Sequence, residues 1–109
     1  MKTINIKSWD DIPKQFTGIA IYPDGSKYWY VEGKFHRLDG PAIEWADGSK
    51  SWCIEDKLHR KDGPAIEYPN GAKFWYIEGK ELTFQQFWEL QKDTEYALKI
   101  MAYMLGAKK

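Results

Sequence analysis

Two histidine–arginine pairs, His36-Arg37 and His59-Arg60, stand 23 residues apart in a chain of 109, and they are the side chains best suited to chemistry. Arginine offers a planar fork of donors for phosphate or carboxylate, and histidine adds another donor. Lys34, Lys57 and Lys61 lie close by in sequence. An edge carrying both pairs would therefore suit an anionic small ligand, including a nucleotide whose base stacks on a nearby tyrosine or tryptophan. The opposite reading is that Asp39 and Asp62, which follow the pairs, neutralise the arginines and fix the loops. The two histidines are the only ones in the chain. Equivalent positions in consecutive hairpins are about 9–10 Å apart, too far for one metal ion to bridge. Cys53, the single cysteine, has no base near it in sequence and reads as packing. No catalytic residue, metal site or cofactor is expected, so the chain reads as a binding protein.

The positions that carry these pairs belong to an internal repeat. Gly40-Pro41-Ala42-Ile43-Glu44 returns as Gly63-Pro64-Ala65-Ile66-Glu67, again with an offset of 23 residues. Trp29, Trp52 and Trp75 align in the same register, as do Asp24-Gly25, Asp47-Gly48 and Asn70-Gly71. Three tandem hairpins follow from this, because Asp-Gly or Asn-Gly between short β-prone runs is a strong turn signal. The expected strands are 19–22 with 27–31, 42–45 with 50–54, and 65–68 with 73–77, forming a six-stranded antiparallel meander.

Two-residue type I′ turns would set Ala20 opposite Trp29, Ile43 opposite Trp52 and Ile66 opposite Trp75. They would likewise set Tyr22, Trp45 and Tyr68 opposite Lys27, Lys50 and Lys73, within cation–π reach. The tryptophans, backed by Val31, Ile54 and Ile77, then make the core face. The other face would carry Tyr28 and Tyr30 at one end and Phe74 and Tyr76 at the other. Ser51 and Cys53 between them would form the floor of a shallow trough with aromatic walls, a second candidate binding surface.

The repeat stops after Gly79-Lys80. Thr83 with Gln86 three residues on forms a capping box. It opens a capping helix expected over 82–106, with Phe87, Leu90, Thr94, Ala97, Leu98, Met101, Met104 and Leu105 on one side. A second stripe of Trp88, Tyr96, Ile100 and Tyr103 would serve as a homo-oligomer interface. Residues 1–16 are expected to cap the first repeat, with a helical turn opened by Ser8. The whole chain, 1–109, then forms one domain, mainly β with a C-terminal α-helix.

Charge narrows the partners. Sixteen Lys and Arg balance sixteen Asp and Glu, whereas a general nucleic-acid binder carries a positive excess. No apolar run approaches the roughly 20 residues of a membrane span, and the first residues have no apolar signal segment. A cytoplasmic protein is expected, in the host cytoplasm if viral.

The run Tyr22-Pro23-Asp24-Gly25-Ser26-Lys27-Tyr28-Trp29-Tyr30-Val31-Glu32-Gly33-Lys34-Phe35-His36 resembles a MORN-type repeat. More closely, residues 17 to 81 resemble MORN-like proteins of bacteriophages and large viruses, built from His-Arg-x-Asp-Gly-Pro-Ala units. Arg37 and Arg60 depart from the wider MORN pattern, where glycine follows the histidine. The viral resemblance implies a small phage accessory protein that binds and inhibits a host defence protein. The first alternative is sequestration of an anionic metabolite or signalling nucleotide by an oligomer. The wider MORN resemblance implies, third, a scaffold or membrane-surface module.

Overall fold

The computed structural model describes residues 2–91. Turn chemistry organises it. Pro23-Asp24-Gly25 loops out between Tyr22 and Ser26, whose backbones pair through Tyr22 N–H to Ser26 O at 2.9 Å. Gly25 N–H closes the turn onto Tyr22 O, and Gly25 takes a φ of +95° that other residues resist. Asp24 accepts the Ser26 N–H at 2.8 Å. The same bonds recur at Trp45–Ser49 and Tyr68–Ala72. Each is a three-residue connection, a type I turn closed by a left-handed glycine.

The type I′ turns expected at these glycines are therefore not there. Paired positive φ values fall instead at Glu32-Gly33 (49°, 82°), Glu55-Asp56 (48°, 70°) and Glu78-Gly79 (50°, 83°). An odd loop length slips the register by one residue and exchanges the faces of one strand in each hairpin. Ile19 faces Trp29, Ile43 faces Ser51, and Ile66 faces Phe74. The expected lysine–aromatic pairs are replaced by a charge row, Lys27–Glu44–Lys50–Glu67–Lys73, in which each neighbour lies directly across a strand boundary. Opposite charges in such positions stabilise a sheet by about 0.2–1 kcal/mol each.

The strands are β1 (Thr3–Asn5), β2 (Gly18–Ile21), β3 (Lys27–Val31), β4 (Lys34–Phe35), β5 (Ile43–Glu44) and β6 (Lys50–Ser51). They continue as β7 (Cys53–Ile54), β8 (Lys57–Leu58), β9 (Ile66–Glu67), β10 (Lys73–Ile77) and β11 (Lys80–Leu82), before one helix, α1 (Phe84–Gln91). Nine form one sheet in the order β1-β2-β3-β5-β6-β9-β10-β11, with β4 also on β3, while β7 and β8 form a separate ribbon. The six-strand expectation missed β1, which joins β2 in parallel. The 3₁₀ turn at Trp9–Asp11 follows it, held by the Asp11 carboxylate accepting N–H bonds from Lys7 (2.8 Å) and Ser8 (3.3 Å). Those two bonds hold the Asp11 carboxyl below its usual range.

The core also differs from the expected tryptophan face. Ile6, Phe16 and Ala20 are buried together, with Ile4, Ile12, Tyr22, Tyr28 and Tyr30 packed around them, on the tyrosine side of β3. Trp29, Trp52 and Trp75 are only half-buried. The floor of the expected trough is closed, for Ser51 and Cys53 are only 4% and 5% exposed. The capping box forms as expected: Gln86 N–H donates to Thr83 Oγ1 at 3.1 Å and Thr83 N–H to Gln86 Oε1 at 2.9 Å. Phe87 is fully buried, whereas Leu90, expected on the same covering side, is 60% exposed. The expected helix beyond Gln91, including Tyr96, Ile100 and Tyr103, lies outside the described residues. Among the described residues, no helix is long and apolar enough to cross a membrane.

Candidate functional site

Each central tryptophan marks where the chain leaves the sheet and returns. Trp29 N–H donates to Ala42 O (2.7 Å), and Trp29 O accepts from His36 N–H (3.0 Å). The residues between His36 and Ala42 must therefore loop out opposite Trp29. Trp52 makes the same two bonds with Ala65 and His59. The arginine that opens each loop folds back over the ring it left. Arg37 Cζ stands 4.0 Å from the Trp29 ring centroid and Arg60 Cζ 3.8 Å from that of Trp52. Partly desolvated cation–π contacts of this kind contribute about 1–2 kcal/mol.

Two nitrogens of each guanidinium then bind the loop and the strand that follows it. Arg37 Nε donates to Asp39 (3.0 Å), and one terminal nitrogen donates to Pro41 O (3.1 Å) and Glu44 (3.3 Å). Arg60 repeats the set with Asp62 (2.9 Å), Pro64 O (3.0 Å) and Glu67 (3.1 Å). Arg37 holds the Asp39 carboxyl below its usual range through that hydrogen bond and its charge. The glycines follow from the same crowding: a Cβ on Gly40 or Gly63 would sit 2.7 or 2.8 Å from the arginine Cζ.

The histidines serve the next repeat. His36 Nδ1 accepts the Glu55 N–H at 3.1 Å, and His59 Nδ1 accepts the Glu78 N–H at 2.9 Å, each securing a type I′ turn. Thr17 Oγ1 does the same for Glu32 at 2.8 Å. Backbone carbonyls of Phe16, Phe35 and Leu58 accept from the second residue of the same three turns.

The two arginine loops border an open cleft of about 620 Å³. Trp52 and Ile54 line it between the loops, with Leu38, Asp39, Lys61 and Asp62 contributed by the loops themselves. Leu38 is 83% exposed, and the Asp39 and Asp62 side chains are 87% and 55% exposed. Arg37, Arg60 and Lys61 line the cleft together with two carboxylates, Asp39 and Asp62. Glu44 and Glu67 accept from the arginines and lie across strand boundaries from Lys27, Lys50 and Lys73.

The other sequence-derived residues lie elsewhere. Tyr28 stacks on Tyr22 (4.9 Å) and Phe35 (5.7 Å), and Tyr30 packs on Phe35 (5.0 Å) and Phe16 (6.0 Å). Burial pushes the Tyr30 hydroxyl up to about 12. Phe74 meets Tyr68 edge-on at 5.9 Å near the far end, and Tyr76 is half-buried, its carbonyl accepting the Arg60 N–H at 3.2 Å. Trp88 is half-buried on α1. Tyr28, Tyr30, Phe74 and Tyr76 do not line the cleft between the His-Arg loops, although the Tyr76 backbone bonds to Arg60. Leu38, Ile54, Glu44 and Glu67 were the residues missed. The two glutamates had a signal, since each follows its arginine by seven residues in both repeats.

The fold and this cleft define a β-repeat protein with charged loops along one edge. Compared with known proteins, the chain matches no family model, and neither a curated protein nor a solved structure matches it significantly.

Proposed function

We propose that the chain is a non-catalytic protein-binding factor that meets its partner through the cleft between its two arginine loops. One observation carries this reading: each guanidinium already faces two carboxylates, while an exposed leucine and a Trp–Ile wall border the open space. Arginines already paired with carboxylates attract a further anion less strongly than unpaired ones. Exposed apolar groups rimmed by charge suit a protein surface. This favours protein binding over sequestration of an anionic metabolite or nucleotide. Through the resemblance to viral His-Arg-x-Asp-Gly-Pro-Ala proteins, the reading extends to a phage accessory protein that occupies and inhibits a host defence protein in the cytoplasm.

A photo-crosslinking residue placed at Leu38, in protein expressed in the bacterial host, tests it. The expected result is one discrete protein adduct that Ile54→Glu removes. Native mass spectrometry of the wild-type chain supplies the contrary result. A bound non-protein mass of nucleotide size, with no protein adduct at Leu38, would overturn the proposal in favour of sequestration.

A further inference from the structure

The three type I′ turns are fastened in the same places but not by the same chemistry. The second residue of each donates to a backbone carbonyl: Gly33 to Phe16 O (2.9 Å), Asp56 to Phe35 O (2.9 Å) and Gly79 to Leu58 O (2.7 Å). The first residue of each donates to a side chain, and there the units differ. Glu32 N–H meets the Thr17 hydroxyl at 2.8 Å, whereas Glu55 and Glu78 meet Nδ1 of His36 and His59 at 3.1 and 2.9 Å. A ring nitrogen accepts only while it carries no proton, so both bonds require a neutral imidazole with its hydrogen on Nε2. A second proton makes donors of both ring nitrogens, and no rotation of the ring then restores an acceptor. The threonine hydroxyl and the carbonyls do not titrate in that range.

The turns depend on such bonds. Glu55 and Glu78 hold left-handed φ values of 48° and 50°, which are costly for a residue with a Cβ. In the middle turn the second residue is Asp56 at 70°, with no glycine to ease it. The charged groups around His59 are Glu55 and Lys57 of the β7–β8 ribbon, Lys61 of its own loop and Glu78 of the turn it fastens. Toward the cleft stand Arg37, Asp39, Arg60 and Asp62, already joined as ion pairs. The repeat sets Glu32, Lys34 and Glu55 in the corresponding positions about His36, with Leu38 in the place of Lys61. Beside it the Asp56 carboxylate accepts the Phe35 N–H at 2.7 Å. Neither histidine forms an ion pair among the described residues.

We infer that His36 and His59 are proton-operated latches: acid frees the Glu55 and Glu78 ends of the second and third type I′ turns, while the first, latched by Thr17, stays closed. This is independent of what the cleft binds, although His59 borders that cleft and brings its new charge there.

The test is made on the full chain by NMR between about pH 8 and about pH 5, a span that covers the titration of a free imidazole. At the upper pH both rings are expected to show the nitrogen-15 shifts of the neutral Nε2–H tautomer. On acidification the exchange protection of the Glu55 and Glu78 amides, corrected for the intrinsic pH dependence of exchange, should fall about three- to tenfold, as loss of one hydrogen bond predicts. The Glu32, Asp56 and Gly79 amides of the same turns should keep theirs. In His36→Asn/His59→Asn, Oδ1 stands in for Nδ1 as an acceptor that does not titrate, and the fall should vanish. An Nδ1–H tautomer at the upper pH, or equal losses at Glu32 and the two histidine-latched amides, overturns the inference. So does a fall of undiminished size in the double variant.

Discussion

Trp52 and Trp75 occupy the same place in successive repeats, yet one is covered by a cation and the other by hydrocarbon. Arg60 lies 3.8 Å above Trp52. Over Trp75, where the repeat would supply the next arginine, Phe84 and Phe87 of α1 approach with centroids at 5.2 and 6.4 Å. An interior repeat can use arginine because its planar group stacks on the ring while its donors satisfy the loop beside it. The last repeat has no following loop, so its ring needs an apolar seal, which a helix supplies. The same indole thus reports whether a repeat is internal or terminal.

The comparison breaks most severely at the seal. Phe87→Ala removes a side chain with no exposure, and it is expected to cost about 3–5 kcal/mol, read by urea unfolding. A loss similar to that of a surface substitution would show that α1 does not seal Trp75. Next comes Arg60→Ala, expected to cost about 1–3 kcal/mol by losing the stack and the bonds to Asp62, Pro64 O and Glu67. Arg60→Lys should recover only part of this, because an ammonium cannot both stack and fork.

Gly63→Ala should cost about 1–2 kcal/mol by pushing the guanidinium off Trp52. In an Arg60→Ala background the same change should cost almost nothing, and additivity of the two would refute the close-approach account. Cys53 gives a pH test of the middle repeat. Burial pushes its thiol up from near 9 to about 11, so the folded chain keeps a proton that the unfolded chain releases. Its contribution is complete below pH 9 and disappears as pH rises through 11. Stability should fall in that window more steeply than in Cys53→Ala, and iodoacetamide should label the native thiol slowly at neutral pH. Smallest of all, Leu38→Ser should change stability by no more than about 0.5 kcal/mol, since Leu38 stands in solvent.

The tandem hairpins and the capping box at Thr83 were legible because they depend on local spacing and on glycines with few conformational substitutes. Register was not. Asp-Gly serves a two-residue turn and a three-residue turn equally well, and Tyr28-Trp29-Tyr30 puts aromatics on both faces, so hydrophobic alternation could not choose between them. With the register slipped, the tryptophans left the expected core and became the surfaces on which the arginines lie. The neutralising role of Asp39 and Asp62 was visible as one of two readings of the His-Arg pairs. The cation–π stacks were not, because they join residues eight apart through a loop whose path depends on where Trp29 and Trp52 sit in the sheet. β1 escaped notice for another reason: three residues carry too little pattern, and only β2 beside them makes them a strand.

The bonds that fasten each type I′ turn have a longer reach than the turns themselves. Thr17, His36 and His59 offer the same acceptor to the next unit, and Phe16, Phe35 and Leu58 the same carbonyl. Every unit passes on the socket into which it was plugged. A gene that gained or lost one whole unit would find matching connectors on both sides of the seam, with the N-terminal starter and the helical stopper unchanged. Array length is therefore a quantity that inheritance can alter in single steps, without redesigning either end.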